Sequence, residues 1–339
     1  MLWLLDVEPT GYSRVAIVAG LLLGPFLPIP GAGQLSLELT PPPQNSDVFQ
    51  TLPLDPVRRS TLQAAMQSRD YARAEKLLLE EVERHPKSAP LLVFLGNVLF
   101  LDGQYLNCAI AMKRSEALSP LDERNRFVLA MAYVALDQGD WARPELERLA
   151  QSNPSNALYP YWLSRLAYNK MRLDEAVAHA RKAIQLDPTL MKAHDNLGLY
   201  YEALGRTDDA IASYLEAIRL NRQLSLRSPW PSMNLGKLLL RLYRLDEAEG
   251  HLRESLSIDP RFPKAHFRLG QVLEKQGKIG EAIRELEQAA ALDPSYPEPH
   301  YALGRIHRLR GERKAADNAL HTFEHLRQEQ KQKGVYRPD

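Results

Sequence analysis

Two histidines and a glutamate near the end of the sequence have the spacing of a zinc-protease motif. His321, Glu324 and His325 match the pattern H-x-x-E-H, in which one helix presents two histidines to Zn²⁺ and the glutamate acts as base. That chemistry requires a third ligand from a later segment, and 14 residues follow His325. We therefore interpret these residues as the surface of a helix and expect no metal and no cofactor.

No other group of residues has the spacing of a catalytic centre. His194, His266 and His300 are 34 or more residues apart, and the G-x-G at Gly31 has no predicted strand beside it, so it does not indicate a phosphate loop. The single cysteine, Cys108, excludes a disulfide within the chain. A formal charge of +1, from 43 basic and 42 acidic residues, gives no general field to attract nucleic acid. These observations predict a protein that is not an enzyme and binds no nucleic acid.

The elements that position these residues repeat along the chain. Residues 263–296 have apolar and small side chains at helical spacing on both sides of Gly277, which predicts two amphipathic helices in a unit of 34 residues. Its closing proline, Pro294, has counterparts upstream, and those from Pro86 to Pro188 are spaced 34 apart. One such unit cannot bury its own apolar surface. The period therefore predicts a stacked array of helix pairs.

Small residues mark the contact between the two helices of each unit. Leu-Gly recurs in the first helix, at Leu95-Gly96, Leu197-Gly198, Leu235-Gly236, Leu269-Gly270 and Leu303-Gly304. Alanine recurs in the second helix, at Ala74, Ala142, Ala176, Ala210, Ala248, Ala282 and Ala316. On these residues the chain resembles the tetratricopeptide repeat family. The resemblance implies an all-α, right-handed solenoid over residues 55–330, with about eight units that begin near Asp55, Ala89, Glu123, Ala157, Met191, Pro229, Pro263 and Pro297.

Two units depart from this pattern. The third has Ala130 in place of the glycine, Gly139 two positions late and Pro144 near the start of its second helix. We expect a longer first helix there and a second helix that starts later. Four extra residues fall between Leu224 and Pro231, which predicts an irregular joint near Trp230.

The chain begins with residues outside the repeats. An uncharged apolar run of 15 residues, Val15 to Ile29, is followed by Gly31-Ala32-Gly33 and resembles a secretory signal peptide cleaved after Gly33. Acidic Asp6 leaves open an uncleaved membrane anchor over residues 15–29. The Pro-rich residues 34–54 predict an extended linker, and residues 331–339 a C-terminal tail. We expect a secreted or periplasmic protein that meets a membrane only through an uncleaved N-terminus.

The resemblance also indicates where a partner would bind. In this family positions 2, 5, 6, 9 and 12 of the first helix line a concave groove. The earlier repeats place aromatic residues there, which we expect to face water unless they pack on a neighbouring repeat: Phe94, Phe127, Tyr161 and Trp162. The later repeats place polar and basic residues there: Asn196, Asn234, Lys237, Lys264, Arg268 and Arg305.

Two asparagines in the later repeats resemble the peptide-binding residues of known arrays. Asn196 and Asn234 both precede Leu-Gly, which resembles the asparagine ladder of sugar-transferase-type arrays, where side-chain amides hold a peptide backbone. Asn234, Lys264 and Arg268 also match part of the carboxylate clamp of chaperone-binding repeats. Asp195 stands at another clamp position and would repel a carboxylate. A chaperone tail is therefore not expected, whereas an acidic peptide is.

Two functions follow from this interpretation. The first is a non-enzymatic adaptor that holds an extended segment of a partner protein in its groove. The second is a structural component that forms oligomers through Phe94, Phe127 and Trp162, or packs into an envelope-associated complex.

Overall fold

The computed structural model describes residues 49–332, which contain sixteen complete helices and no strand. The prediction of an all-α fold is confirmed. The helices divide into two compact units, one ending at Pro154 and the other beginning at Ser155. The N-terminal unit contains α1 (Pro56–Gln67), α2 (Tyr71–Arg84), α3 (Ala89–Leu101), α4 (Tyr105–Glu116), α5 (Glu123–Ala135) and α6 (Gly139–Ser152).

The C-terminal unit contains ten helices. They are α7 (Leu158–Asn169), α8 (Leu173–Leu186), α9 (Met191–Ala203), α10 (Thr207–Asn221), α11 (Trp230–Arg241), α12 (Leu245–Ile258), α13 (Pro263–Lys275), α14 (Ile279–Leu292), α15 (Pro297–Leu309) and α16 (Arg313–Gln332). Odd-numbered helices are the first helices of the repeats and even-numbered helices are the second. Each first helix packs on the second helix that follows it.

Small residues allow the two helices of a repeat to approach closely. A Cβ atom placed on Gly198 would lie 2.6 Å from the ring of Tyr214, and one placed on Gly236 would lie 2.7 Å from Leu252. The alanines of the second helices are buried opposite, and Cys108 takes the equivalent place in α4. Burial raises the pKa of its thiol, so Cys108 is a packing residue rather than a nucleophile.

Each repeat turns from its first to its second helix through one residue with a left-handed backbone. Four of these are glycines, Gly103, Gly205, Gly277 and Gly311, and four are not, Arg69, Asp137, Met171 and Tyr243. Asp137 explains why the expectation for the third repeat is wrong. It makes the turn that Gly103 makes one repeat earlier, so α5 keeps 13 residues like α3, and α6 begins at Gly139 without delay. Pro144 lies inside α6 and does not shift its start.

The longest break between helices in residues 49–332 lies between α10 and α11, where the sequence predicts an irregular joint. The side chain of Asn221 closes this loop by donating to the Ser228 carbonyl at 2.7 Å and accepting from its amide at 2.8 Å. Leu224 and Leu226 remain exposed on the loop.

The residues just before α1 do not form the extended linker that their sequence predicts. Phe49, Leu52 and Leu54 are buried, and the Arg59 guanidinium donates to the carbonyls of Leu52 and Leu54. Residues 49–54 are therefore part of the N-terminal unit. The predicted signal peptide or anchor, the rest of the linker and the end of the predicted tail lie outside the described residues.

Candidate functional site

The first helices of the N-terminal unit place an apolar face at the positions that a groove would use. This apolar face consists of Phe94, Phe100, Phe127, Val128 and Met131 on α3 and α5. All five are buried, with Phe94 only 3% exposed and Phe127 7%. The expectation that these aromatic side chains face water is wrong.

Phe49 supplies part of the cover over the apolar face. Its ring centroid lies 5.3 Å from that of Phe94, at a tilt of 57°. Arg59 holds the segment in place through the carbonyls of Leu52 and Leu54, and it also donates to the Gln50 side chain at 2.9 Å. The chain thus covers Phe94 with its own residues. Burying such rings removes a large apolar area from water.

Ion pairs connect α4, α5 and α6 of the N-terminal unit. Glu145 is 4% exposed and pairs with Arg126, which also lies 2.8 Å from Glu116. Burial opposes ionisation of Glu116, but hydrogen bonds from Lys113 and Arg126 outweigh it and lower the pKa of that carboxyl. Burial and these two carboxylates raise the pKa of Tyr133 to about 12. The arrangement is satisfied within the chain, which is typical of a structural network.

Two aromatic residues at the start of the C-terminal unit are buried as well. Tyr161 is 4% exposed and Trp162 is 3% exposed, and their ring centroids are 5.4 Å apart. The Arg165 guanidinium lies 4.5 Å from the centre of the Trp162 ring. Trp162 is therefore a core residue, contrary to its predicted place in an open groove. In the described part of the chain, its indole nitrogen is buried without a hydrogen-bond partner.

The later first helices of the C-terminal unit carry a different surface, the polar face. It consists of Asp195, Asn196, Asn234, Lys237, Lys264, Arg268, Tyr301 and Arg305 on α9, α11, α13 and α15. Each of these side chains is half-buried or exposed. The equivalent positions of the apolar face are buried, whereas these positions are partly or fully exposed.

Asparagine and aspartate join two neighbouring helices of the polar face. The Asn234 amide nitrogen donates to the Asp195 carboxylate at 3.0 Å. Asn196 occupies the same repeat position as Asn234, but its amide nitrogen is buried and has no hydrogen-bond partner among residues 49–332. Burial raises the pKa of Asp195 to about 6, against the opposing effects of the Asn234 hydrogen bond and the Lys237 charge.

The positive charge that the sequence predicts on this face is partly neutralised by glutamates. Lys237 and Arg241 each lie 3.2 Å from Glu202, whose side chain is 6% exposed. Glu202 also accepts a hydrogen bond from the Tyr214 hydroxyl at 2.9 Å. Arg305 pairs in the same way with Glu274 of α13.

The remaining basic residues of the polar face lie against aromatic rings. The Lys264 ammonium is 5.2 Å from the Trp230 ring, and the Arg268 guanidinium is 5.1 Å from Phe267 and donates to Gln271 at 3.0 Å. A hollow of about 400 Å³ lies beside them, lined by Gln271, Glu274, Lys275 and Arg305. The polar face therefore offers amides, ammonium groups and a recess, which suit a peptide better than a reaction.

Two histidines of the first helices contact the backbone just before their own helix. The Nε2 atoms of His194 and His266 lie 3.0 Å from the carbonyl oxygens of Pro188 and Pro260, respectively. Burial opposes protonation of His266, but Glu285, 2.6 Å from its Nδ1, outweighs burial and raises its pKa.

Across residues 49–332, no cluster of three or more histidine, cysteine or acidic side chains is placed to bind a metal ion. Within the same range, no helix is both long and apolar enough to cross a bilayer.

Sequence reasoning missed three parts of the site. The contact between Asp195 and Asn234 joins residues 39 positions apart, across the longer loop. Glu202 was assigned no role, although it neutralises Lys237. Phe49 lies in the predicted linker. The sequence indicates its burial only through the apolar spacing of Phe49, Leu52 and Leu54.

Comparison with known proteins agrees with this architecture. Two family models described as tetratricopeptide repeat match residues 62–122, 127–190 and 191–224, and one described as TPR repeat matches residues 275–309. The chain is thus built of tetratricopeptide repeats, in an all-α repeat solenoid. No curated protein matches this sequence.

Three known structures show the same fold at low identity. A chain of the APC/C hetero-tetramer Cut9–Hcn1 has a TM-score of 0.58 and 18% identity over 72% of this chain and 48% of that one. The type IV pilus biogenesis factor PilW has a TM-score of 0.53 and 20% identity over 58% of this chain and 90% of its own. PilF of Pseudomonas aeruginosa has a TM-score of 0.52 and 17% identity over 62% and 94%. This chain therefore spans about half the length of the Cut9–Hcn1 chain that it resembles.

Proposed function

We propose that the protein is a non-enzymatic adaptor that holds an extended segment of another protein on its polar face. The observation that carries this proposal is the pair of half-buried asparagines at one repeat position, Asn196 and Asn234. A side-chain amide can donate to a backbone carbonyl and accept from a backbone N–H, so successive amides match an extended chain.

The charge of the partner is inferred from the basic residues of α13. Lys237 and Arg305 pair with Glu202 and Glu274, whereas Lys264 and Arg268 lie 5.2 and 5.1 Å from the Trp230 and Phe267 rings, respectively. We expect acidic residues of the segment near α13. Replacing Arg268 with alanine would weaken binding by roughly tenfold, because a charge-assisted contact contributes about 1.5 to 3 kcal/mol. The effect would shrink at high salt.

Self-association through aromatic residues is disfavoured as an alternative. Phe94, Phe127 and Trp162 are each at most 7% exposed and leave no ring surface for a second copy. A stable oligomer disrupted by their replacement, without loss of fold, would restore this alternative.

We also propose that the protein acts outside the cytoplasm. The support is the apolar run Val15 to Ile29 with its small-residue site after Gly33, together with the likeness in fold to PilW, a type IV pilus biogenesis factor. Mass spectrometry of the mature N-terminus tests this, since cleavage after Gly33 would make Gln34 the first residue. Protein recovered with an intact N-terminus from the soluble cytoplasm would contradict it.

Site-specific crosslinking tests where a segment binds. A photoreactive phenylalanine derivative replaces Tyr301, which is 51% exposed on α15, or Leu215, which is 47% exposed on the second helix α10. Both variants are illuminated with a pool of random dodecapeptides. We expect the variant at Tyr301 to capture peptides and the matched variant at Leu215 to capture few. Equal capture at both positions would overturn the proposal.

A further inference from the structure

Asp195 is a carboxylate with few partners at the centre of the polar face. A carboxylate offers about four sites for hydrogen-bond donors. Within residues 49–332, Asp195 receives one hydrogen bond, from Asn234, and no basic side chain lies within ion-pair distance of it. Its side chain is half-buried, so water reaches it only in part.

Two basic residues of the neighbouring helix α11 pair with a different carboxylate. Lys237 and Arg241 both lie 3.2 Å from Glu202 of α9, and Tyr214 of α10 donates to the same carboxylate. Among residues 49–332, the hydrogen-bond donor to Asp195 is therefore an uncharged amide, that of Asn234.

This arrangement costs stability in the free protein. Removing a carboxylate from water without a cation disfavours its ionised form, and the pKa of Asp195 rises to about 6 accordingly. Groups that weaken the fold yet stand on an accessible face are typical of binding sites.

We propose that Asp195 binds a lysine or arginine side chain of the segment held on the polar face. This inference rests on the proposed function and names the residue type that the face selects. Asp195 would thus bind a positively charged side chain, whereas a carboxylate clamp binds a negatively charged group. A partner segment would thus carry a basic residue near α9 and acidic residues near α13.

Selection from a random dodecapeptide library displayed on phage tests the inference with the full chain. Peptides retained by the protein at pH 7.5 are sequenced, and the affinity of the most enriched one is measured for the parent, for Asp195→Asn and for Asp208→Asn. Asp208 is exposed on the second helix α10, so its variant removes the same charge elsewhere. We expect enrichment of lysine or arginine, a loss of about tenfold or more for Asp195→Asn, and no loss for Asp208→Asn.

Two further readouts separate the possible failures. Replacing the basic residue of the peptide with methionine should weaken binding to the parent and leave binding to Asp195→Asn unchanged. Binding to the parent should weaken as pH falls from 7.5 to 5, because Asp195 becomes protonated near pH 6. Peptides that bind the polar face without basic enrichment, and equally well to Asp195→Asn, would overturn the role of Asp195 and leave the adaptor function standing. Failure to retain any peptide would overturn both.

Discussion

Position 6 of the repeat holds Phe94 in the N-terminal unit and Asn234 in the C-terminal unit. The Phe94 ring is 3% exposed and lies against Phe49, whereas the Asn234 amide is half-buried and donates to Asp195. One helical position therefore belongs to the core in one unit and to an accessible surface in the other. Repeat register fixes the direction of a side chain from its helix, but the residues that lie over it decide whether water reaches it.

The two units also use their carboxylates differently. Glu145 in the N-terminal unit is buried among arginine and lysine side chains that compensate its charge. Within residues 49–332, Asp195 in the C-terminal unit forms no ion pair and accepts its hydrogen bond from the uncharged Asn234 amide. A buried carboxylate is thus paired with cations in the first unit, and a half-buried one lacks such a pair in the second.

Aromatic residues at position 5 give the largest expected contrast. Phe127→Ala should destabilise the protein by about 3 to 5 kcal/mol, because it empties a buried site. Tyr301→Ala should cost about 1 kcal/mol, since the ring is 51% exposed and its main partner is Phe323, with centroids 5.2 Å apart. Urea unfolding of both variants measures the difference. Equal losses would contradict the distinction between the two faces.

Removing the cover of the apolar face should have an intermediate effect. Phe49→Ala deletes the ring that lies 5.3 Å from Phe94 and should cost about 1 to 3 kcal/mol. It should also increase binding of a hydrophobic dye, because Phe94 becomes exposed. Val57→Ala is the control, as this apolar side chain is 73% exposed in α1. No dye binding and an unchanged melting temperature would show that Phe49 does not protect Phe94.

Substitutions at equivalent glycines test how closely the two helices of a repeat pack. A Cβ on Gly198 would meet the buried Tyr214 ring at 2.6 Å, whereas one on Gly96 would meet the flexible end of Met112 at 2.9 Å. Gly198→Ala should therefore cost about 1 to 3 kcal/mol, and Gly96→Ala less. Gly198→Leu should be worse than Gly198→Ala. Thermal melting of the variants decides this, and a more harmful change at Gly96 would refute the argument.

The last prediction is a gain of stability rather than a loss. Because the pKa of Asp195 is raised to about 6 in the folded protein, the folded state holds its proton more tightly than the unfolded chain does. Stability contributed by this group falls as pH rises from about 4 to 6 and stays low above pH 6. Asp195→Asn should therefore raise the melting temperature at pH 7.5 and have little effect near pH 4. A lower melting temperature at pH 7.5 would contradict the view that Asp195 costs stability.

The sequence predicts the helical repeats well because their physical causes are local. The period of 34 residues and the small residues at Gly198 and Ala210 define where two helices touch. The third repeat misled the prediction because Asp137 adopts the left-handed turn that glycine usually makes. A residue type favours such a turn but does not determine it.

The exposure of the candidate site could not be predicted in the same way. Phe94 is covered by Phe49, which lies outside the repeat pattern, so projection of helix positions placed its ring in water. Lys237 was expected to be a free charge, but Glu202 of the preceding first helix pairs with it. Such a contact joins side chains of two different repeats. The sequence of one repeat alone does not specify which side chain of the other repeat will pair with it.

Hydrogen exchange with and without a selected dodecapeptide tests the central claim most directly, because it reports on both units in one experiment. We predict slower exchange in α9, α11, α13 and α15, which carry the polar face, and unchanged exchange in α3 and α5, whose apolar face is already covered. Protection confined to α3 and α5, or to the second helices, would contradict the assignment of binding to the polar face.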